Sequence, residues 1–392
     1  MKNNEAQLTR RTFLAAAAGT VLSGQANAQT GNAARSAKTI EGANPTGDDA
    51  TFVIPLLGDL HFDRLTHHDM DWVRQDKPND VHQIENYSRI TQGVMPALFR
   101  QVRQQVAQAK SKVPFVLHIG DLVEGLCGNG GRSEQQNHEA LAFVREARLN
   151  APFLFAKGNH DVTGPGAPEA FDKVFLPFLT EQTKQDVRSA NYTYTHGETL
   201  FAFFDAYTKN SLEWLEKTLA ARTARQFVLV IHPPVVPYDA RSLWHIYARP
   251  AEQEQRTKLL NLLGRHHAVV LCGHLHKYGT VVRKTEGGAF VQVATCSVIP
   301  SLTARPTQET SGLENYGPDL VKMEPNFEPK NEADRRAALV AEKPFLRYFE
   351  YADAPGYAML NVHGKGIGID LYSGVENKIW RSLPLTDLLA HA

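Results

Sequence analysis

Aspartate, asparagine and histidine recur in this chain immediately after short apolar runs, five times between residues 58 and 276. In order they are Asp59 and His61, then Asp121, then Asn159 and His160, then His232, and last His274 and His276. These side chains hold borderline divalent metals, and a pair of ions needs several oxygen and imidazole donors plus a carboxylate shared between them. Any one of these turns alone would be ordinary. Gly158-Asn159-His160-Asp161 or Gly120-Asp121 also makes a structural turn, and a histidine before two prolines, as at His232, is commonly a hydrogen-bonded loop residue. The ordered set, each member at the same place relative to an expected strand, points to one assembled site.

The apolar runs at 51–57, 114–119, 152–157, 226–231 and 268–272 have the length of buried strands. Helical patterns fall between them, at 87–110 with Pro96 bending or interrupting the helix, and at 133–148, 168–180, 211–221 and 251–265. This alternation argues for a βαβ framework, whose polar site residues gather beyond the carboxyl ends of the strands. Within a strand, residues i and i+2 point the same way, so Asp59 with His61, and His274 with His276, are expected to face one centre. Residues 191–194 and 199–206 read as a hairpin, and strands near 279–283, 289–295, 348–351, 357–362 and 366–371 are expected to complete the sheets. The polar stretch 64–85 reads as an excursion over the site. Residues 300–343, rich in Pro, Glu and Asn, read as an insertion or long loop.

Lysine plus arginine equals aspartate plus glutamate at 42 each, so no net field draws a polyanion, and nucleic acid is not an expected partner. Three cysteines are too few for a disulfide framework, and a Cys272–Cys296 bridge is not the expectation. Near its start the chain carries Arg10-Arg11-Thr12-Phe13-Leu14, an alanine-rich run and Ala26-Asn27-Ala28, which resembles a twin-arginine signal over residues 1–28. The expectations are cleavage after Ala28, use of the twin-arginine export machinery and a periplasmic or secreted product. The apolar run is shorter than the ~20 residues that span a bilayer, so no stable membrane anchor is expected. Residues 29–50 read as a flexible linker, and 51–392 as one domain.

The five motifs together are similar to those of the calcineurin-like metallophosphoesterases: Asp59-Leu60-His61, Gly120-Asp121, Gly158-Asn159-His160-Asp161, His232 and Gly273-His274-Leu275-His276. The resemblance implies an α/β fold, a four-layer sandwich of two mixed β-sheets flanked by helices. It also implies two divalent metal ions drawn from Mn, Fe, Zn, Co or Ni. One ion would take Asp59, His61 and His276, the other Asn159, His232 and His274, with Asp121 bridging. Two divalent cations outweigh two aspartates and one hydroxide, so such a centre stays positive and suits a phosphate ester. A metal-bridging hydroxide would attack phosphorus, and His160 would stabilise the transition state or protonate the leaving oxygen.

The resemblance assigns Glu124 to orient His160, with Asp161 as a second candidate partner or simply a turn residue. The related protein serine/threonine phosphatases carry an arginine where this chain has Gly125, which argues against phosphoprotein substrates. The purple acid phosphatases place a tyrosine at the position of Glu124, which argues against iron(III) chemistry. The expected activity is a phosphomonoesterase or broad-specificity enzyme on small phosphate esters. The alternatives are a cyclic-nucleotide or other phosphodiesterase and a non-catalytic metal- or phosphate-binding protein. Stretch 64–85, with His67, His68, Trp72 and Arg74, and stretch 233–250, with Tyr238, Arg241, Trp244 and His245, offer aromatic and cationic side chains for a substrate pocket, though none is ranked as a site residue.

Overall fold

In the computed structural model, which describes residues 51–392 apart from Lys365, the five apolar runs divide between two sheets. The expected signal segment, residues 1–28, and the expected linker, 29–50, lie outside the described residues. β1 (Phe52–Leu57), β2 (Val116–His118) and β3 (Phe153–Phe155) pair in parallel, with Leu56 opposite Leu117 and Leu117 opposite Leu154. β4 (Tyr192–His196) and β5 (Thr199–Phe204) form the expected hairpin at the edge of the second sheet. Next to β5 run β6 (Gln226–Ile231) and β7 (Val269–Cys272), both parallel to it. β8 (Tyr278–Thr285) and β9 (Gly288–Ala294) follow, then β10 (Glu309–Ser311) and β11 (Leu346–Ala352). β12 (Gly356–Val362), β13 (Ile367–Ser373) and β14 (Ile379–Leu383) return the chain to the first sheet.

The strand orders are β14-β13-β12-β1-β2-β3 and β10-β11-β8-β9-β7-β6-β5-β4. Both sheets are mixed, because the parallel strands β1 to β3 and β5, β6, β7, β9 are extended by antiparallel neighbours on one or both sides. Side-chain alternation along β5 explains the layering. Phe201 and Phe203 join the first sheet's Leu56, Leu117 and Leu154 in one buried cluster, so the sheets pack face to face. Leu200, Ala202 and Phe204 point the other way, into a second cluster with Leu215 of helix Ser211–Ala220 and Leu263 of helix Gln253–Arg265. Helices Met95–Gln108 and Gly130–Glu146 contribute Leu98, Val102 and Leu141 to the first cluster. The layers are those of the expected four-layer α/β sandwich.

Several local expectations change. The pattern over 87–110 becomes two helices, Val81–Gly93 and Met95–Gln108, and the break at Val94 falls just before Pro96 in the first turn of the second helix, where its missing N–H costs nothing. Residues 300–343 are more ordered than a long loop: they supply edge strand β10 and helix Glu332–Glu342, whose Leu339 is buried. Strand β14 and helix Leu385–Ala390 were not expected. Cys127, Cys272 and Cys296 are all buried free thiols. Among the described residues no helix is long and apolar enough to cross a membrane.

Candidate metal centre

The seven sequence-nominated ligands lie just past five strand ends, four of them in the first sheet (after β1, β2 and β3) and three in the second (after β6 and β7). The backbone there departs from the strand geometry first expected. Asp59, His61, Asp121, His274 and His276 all have left-handed φ values, between 47° and 75°. Paired presentation of Asp59 with His61, and of His274 with His276, therefore comes from left-handed turns and not from strand alternation. Such backbone is sparsely populated by non-glycine residues and costs of order 1–3 kcal/mol each. Hydrogen bonds hold it in place: Asp59 N donates to Gly120 O (3.0 Å), His61 N to Asp121 O (3.0 Å) and His274 N to Asp59 Oδ1 (2.7 Å).

Three groups of donor atoms converge among the described residues, one of them His61 with Glu124 and His160, and the other two made of nominated ligands. Asp59, His61 and His276 converge, and so do Asp121, His232 and His274, the atoms of each group lying within 4.8 Å of one another. His61 Nε2 is 3.0 Å from His276 Nε2, and His276 Nε2 is 3.5 Å from Asp59 Oδ1. In the other group His232 Nε2 is 2.9 Å from Asp121 Oδ2 and 3.3 Å from His274 Nδ1. The same Asp121 Oδ2 lies 3.7 Å from His61 Nε2, so one carboxylate oxygen faces both groups. Asp121 Oδ1 accepts the His160 amide at 2.8 Å.

Hydrogen bonds to the far ring nitrogens set which nitrogen of each imidazole faces the centre. His232 Nδ1 donates to Ile119 O (3.0 Å), and His61 Nδ1 donates to Glu124 Oε2 (2.7 Å). Each ring thus presents the lone pair of Nε2 inward. Glycines make the approach possible: a Cβ on Gly158 would sit 2.0 Å from Asp121 Oδ1, and one on Gly273 2.3 Å from Asp59 Oδ2.

The donor set fits divalent ions. Asp59 Oδ2 and Asn159 Oδ1 are both buried without a hydrogen-bond partner among the described residues. A buried acceptor left unpaired is costly, and a cation is the partner that satisfies both. Burial also pushes the Asp59 carboxyl up to about 7, only partly countered by His232. Burial opposes the charge on Asp121 too, but His232 and His160 outweigh it and hold that carboxyl well below its usual range.

His160 is buried beside this centre, its ring edge-on to His61 with centroids 4.6 Å apart. Its Nδ1 donates to Glu124 O at 2.8 Å, while Glu124 Oε2 is 3.3 Å away. Glu124 thus touches His160 chiefly through its backbone carbonyl, and its carboxylate makes the shorter bond to His61. Burial disfavours the imidazolium, yet the charges of Glu124 and Asp121 raise His160 to about 10. No hydrogen bond to its Nε2 occurs among the described residues. Asp161 plays no part in orienting His160: its carboxylate accepts from the amides of Asp121, Val123 and Gly158, at 3.1, 3.1 and 2.7 Å, and so ties two of the turns together. Gly125 also has a local reason, since a Cβ there would lie 2.2 Å from His160 O and its φ is +68°.

Sequence reasoning missed two residues of helix Val81–Gly93, which begins inside the 64–85 stretch. Tyr87 stacks on His61 at 4.3 Å and lies 3.4 Å from His276 Nδ1, and Gln83 donates to Glu124 Oε1 at 2.8 Å. Their i, i+4 spacing on one helix face was the available signal. His67 and His68 instead join a separate network, bonded to Glu139 and Asp63.

A two-sheet α/β sandwich with paired oxygen and imidazole clusters beyond its strand ends defines the class of metal-dependent hydrolases acting on esters of oxyacids. The chain matches the family model of the calcineurin-like phosphoesterases over residues 52–278 and belongs to that family; it is a phosphoester hydrolase. Among solved structures it is similar to a dimetal phosphatase from Danio rerio at 12% identity, with 86% of this chain and 99% of that one covered and a TM-score of 0.51. Two others are PhoD (13% identity, 86% and 68% covered, TM-score 0.47) and a purple acid phosphatase from yellow lupin seeds, Lupinus luteus (11%, 87% and 55%, TM-score 0.47). No curated protein matches the chain.

Proposed function

We propose that this protein is a binuclear metal-dependent phosphomonoesterase, or a phosphoesterase of broad specificity, exported through the twin-arginine route. The observation that carries the binuclear reading is Asp121 Oδ2 facing two donor groups at once, one of which contains Asp59, whose Oδ2 is buried without a partner among the described residues. Asp59, His61 and His276 would hold one ion, and Asn159, His232 and His274 the other, with Asp121 shared. Bound divalent ions supply Lewis acidity toward phosphate oxygens and lower the pKa of the attacking water.

The chain's own groups do the rest. Glu124 and Ile119 O fix the tautomers of His61 and His232, so that the ligand set is ordered before substrate arrives. His160, anchored at Nδ1, keeps Nε2 available to donate a proton to the leaving alcohol. A purely binding protein would need no such donor, which favours catalysis over the non-catalytic alternative. The export reading rests on Arg10, Arg11 and the Ala26-Asn27-Ala28 site.

Purified protein loaded with Mn, Fe, Zn or Co is tested on p-nitrophenyl phosphate, bis-p-nitrophenyl phosphate and cyclic AMP. Fastest turnover is expected on the monoester. Preference for either of the other two moves the assignment to a diesterase, and no turnover after any loading moves it to a binding protein. His160→Ala is expected to keep both ions by elemental analysis while losing about 10²–10⁴ in rate on an unactivated alkyl ester.

A further inference from the structure

The peptide between the last two candidate ligands is held by a cation from a different loop. Arg241 donates from Nη1 to the carbonyl of Leu275, at 3.3 Å, and from Nε to Glu324 Oε2, at 3.0 Å. Its guanidinium lies over the rings of Trp244 and Phe327, 5.5 and 5.2 Å from their centroids. The Trp244 ring is in turn 5.6 Å from that of His274. Arg241 is therefore beside the centre, and its side chain keeps 18% of its surface exposed. Its Nη2 has no hydrogen-bond partner among the described residues.

The local charge leaves this cation effective. Lys277 Nζ lies 3.8 Å from Glu324 Oε1, so Arg241 and Lys277 share one carboxylate and the three groups together remain positive. The remaining acid nearby is Asp239, whose carboxyl burial pushes up to about 7.

The segment 300–343 supplies the support. Besides Glu324 and Phe327, Tyr316 OH donates to Pro237 O (2.8 Å), Arg335 Nη1 to Ala240 O (2.8 Å), and Ser242 Oγ to Arg335 O (2.6 Å). These bonds bracket Arg241 on both sides along the chain. A guanidinium fixed in advance loses little freedom when it grips an anion, which is what a substrate-positioning residue requires.

We propose that Arg241 binds the phosphoryl group, donating from Nη2 to a non-bridging oxygen of an ester held at the His274 and His276 side of the centre, and that Glu324 is its positioning residue. This rests on the phosphoesterase reading above and adds the residue that grips the substrate. Segment 300–343 is on this account part of the substrate site.

The test compares metal-loaded wild type, Arg241→Gln, Arg241→Lys, Glu324→Gln and the Arg241→Gln/Glu324→Gln double variant. The measurements are inorganic phosphate affinity by calorimetry, KM and kcat on p-nitrophenyl phosphate, and metal content. Loss of one charge-assisted hydrogen bond should weaken phosphate binding and raise KM by about 10–100-fold in Arg241→Gln, with metal content unchanged. Arg241→Lys should recover part of the affinity. Glu324→Gln should raise KM by less, and the double variant should be no worse than Arg241→Gln alone. If Arg241→Gln fails to fold, Arg241→Lys and Glu324→Gln decide by the same readouts. Wild-type phosphate affinity and KM in folded, metal-replete variants would overturn the proposal. Wild type that hydrolyses no ester sinks the phosphoesterase reading, while the phosphate titration still decides Arg241; wild type that hydrolyses the ester but binds no phosphate overturns the Arg241 proposal alone.

Discussion

Asp239 is buried two residues before Arg241, with Oδ1 accepting the Arg241 amide at 2.7 Å and Oδ2 without a partner among the described residues. Burial, with a contribution from Glu324, raises its carboxyl from an ordinary value near 3.8 to about 7. Below pH 4 the acid is protonated in folded and unfolded chains alike, and it costs nothing. Between pH 4 and 7 the unfolded chain loses the proton first, so the folded chain binds more protons and stability falls as pH rises; above pH 7 the loss is complete. Asp239→Asn keeps the acceptor and removes the charge. It is expected to raise the urea midpoint at pH 8 and to leave it unchanged below pH 4, measured as unfolding curves of both proteins across that range. Equal midpoints at pH 8 would mean that Asp239 is solvated or paired when charged.

At the scale of elements, helix Glu332–Glu342 carries Arg335, a fully buried guanidinium that donates to the carbonyls of Ala240 and Phe327. Arg335→Met preserves much of the volume but strands both carbonyls, at about 1–3 kcal/mol each. Lower stability in urea is expected together with a lower kcat/KM, because the loop bearing Arg241 loosens. This clamp was not legible in the sequence. Residues 300–343 bury Tyr316, Leu320, Val321 and Leu339 at irregular spacing, and the segment's hydrogen bonds, ion pairs and ring contacts reach a loop some eighty residues away in sequence, none of which periodicity reports. The strands were legible because buried parallel strands are continuous apolar runs, and the donor residues because their types and order recur at strand ends. The left-handed backbone beneath Asp59, His61, Asp121, His274 and His276 was not, because φ leaves a signature only where glycine is demanded. Tyr87 and Gln83 escaped for a related reason: their roles depend on where a helix lands against the centre and not on any local motif.

At the scale of the whole molecule, the centre straddles two sheets: Asp59, His61, Asp121 and Asn159 follow strands of the first, and His232, His274 and His276 follow strands of the second. Ions bound there would join the halves of the sandwich and bind the folded state alone. Chelation with EDTA is therefore expected to abolish activity and lower Tm, with recovery of both on adding back Mn or Zn; an ion present at a hundred times its Kd contributes about 2.7 kcal/mol. An unchanged Tm with lost activity would mean that the ions do not couple the sheets. The five left-handed donor positions carry a consequence for how such a chain can drift. As proposed ligands, each would need a side chain that coordinates a cation on a backbone that few residues tolerate, and Asp, Asn and His are the donors several-fold enriched there. Glutamate or cysteine would satisfy the ion and still be penalised by the main chain. The vocabulary open to mutation at these sites is thus narrowed twice, once by coordination chemistry and once by stereochemistry.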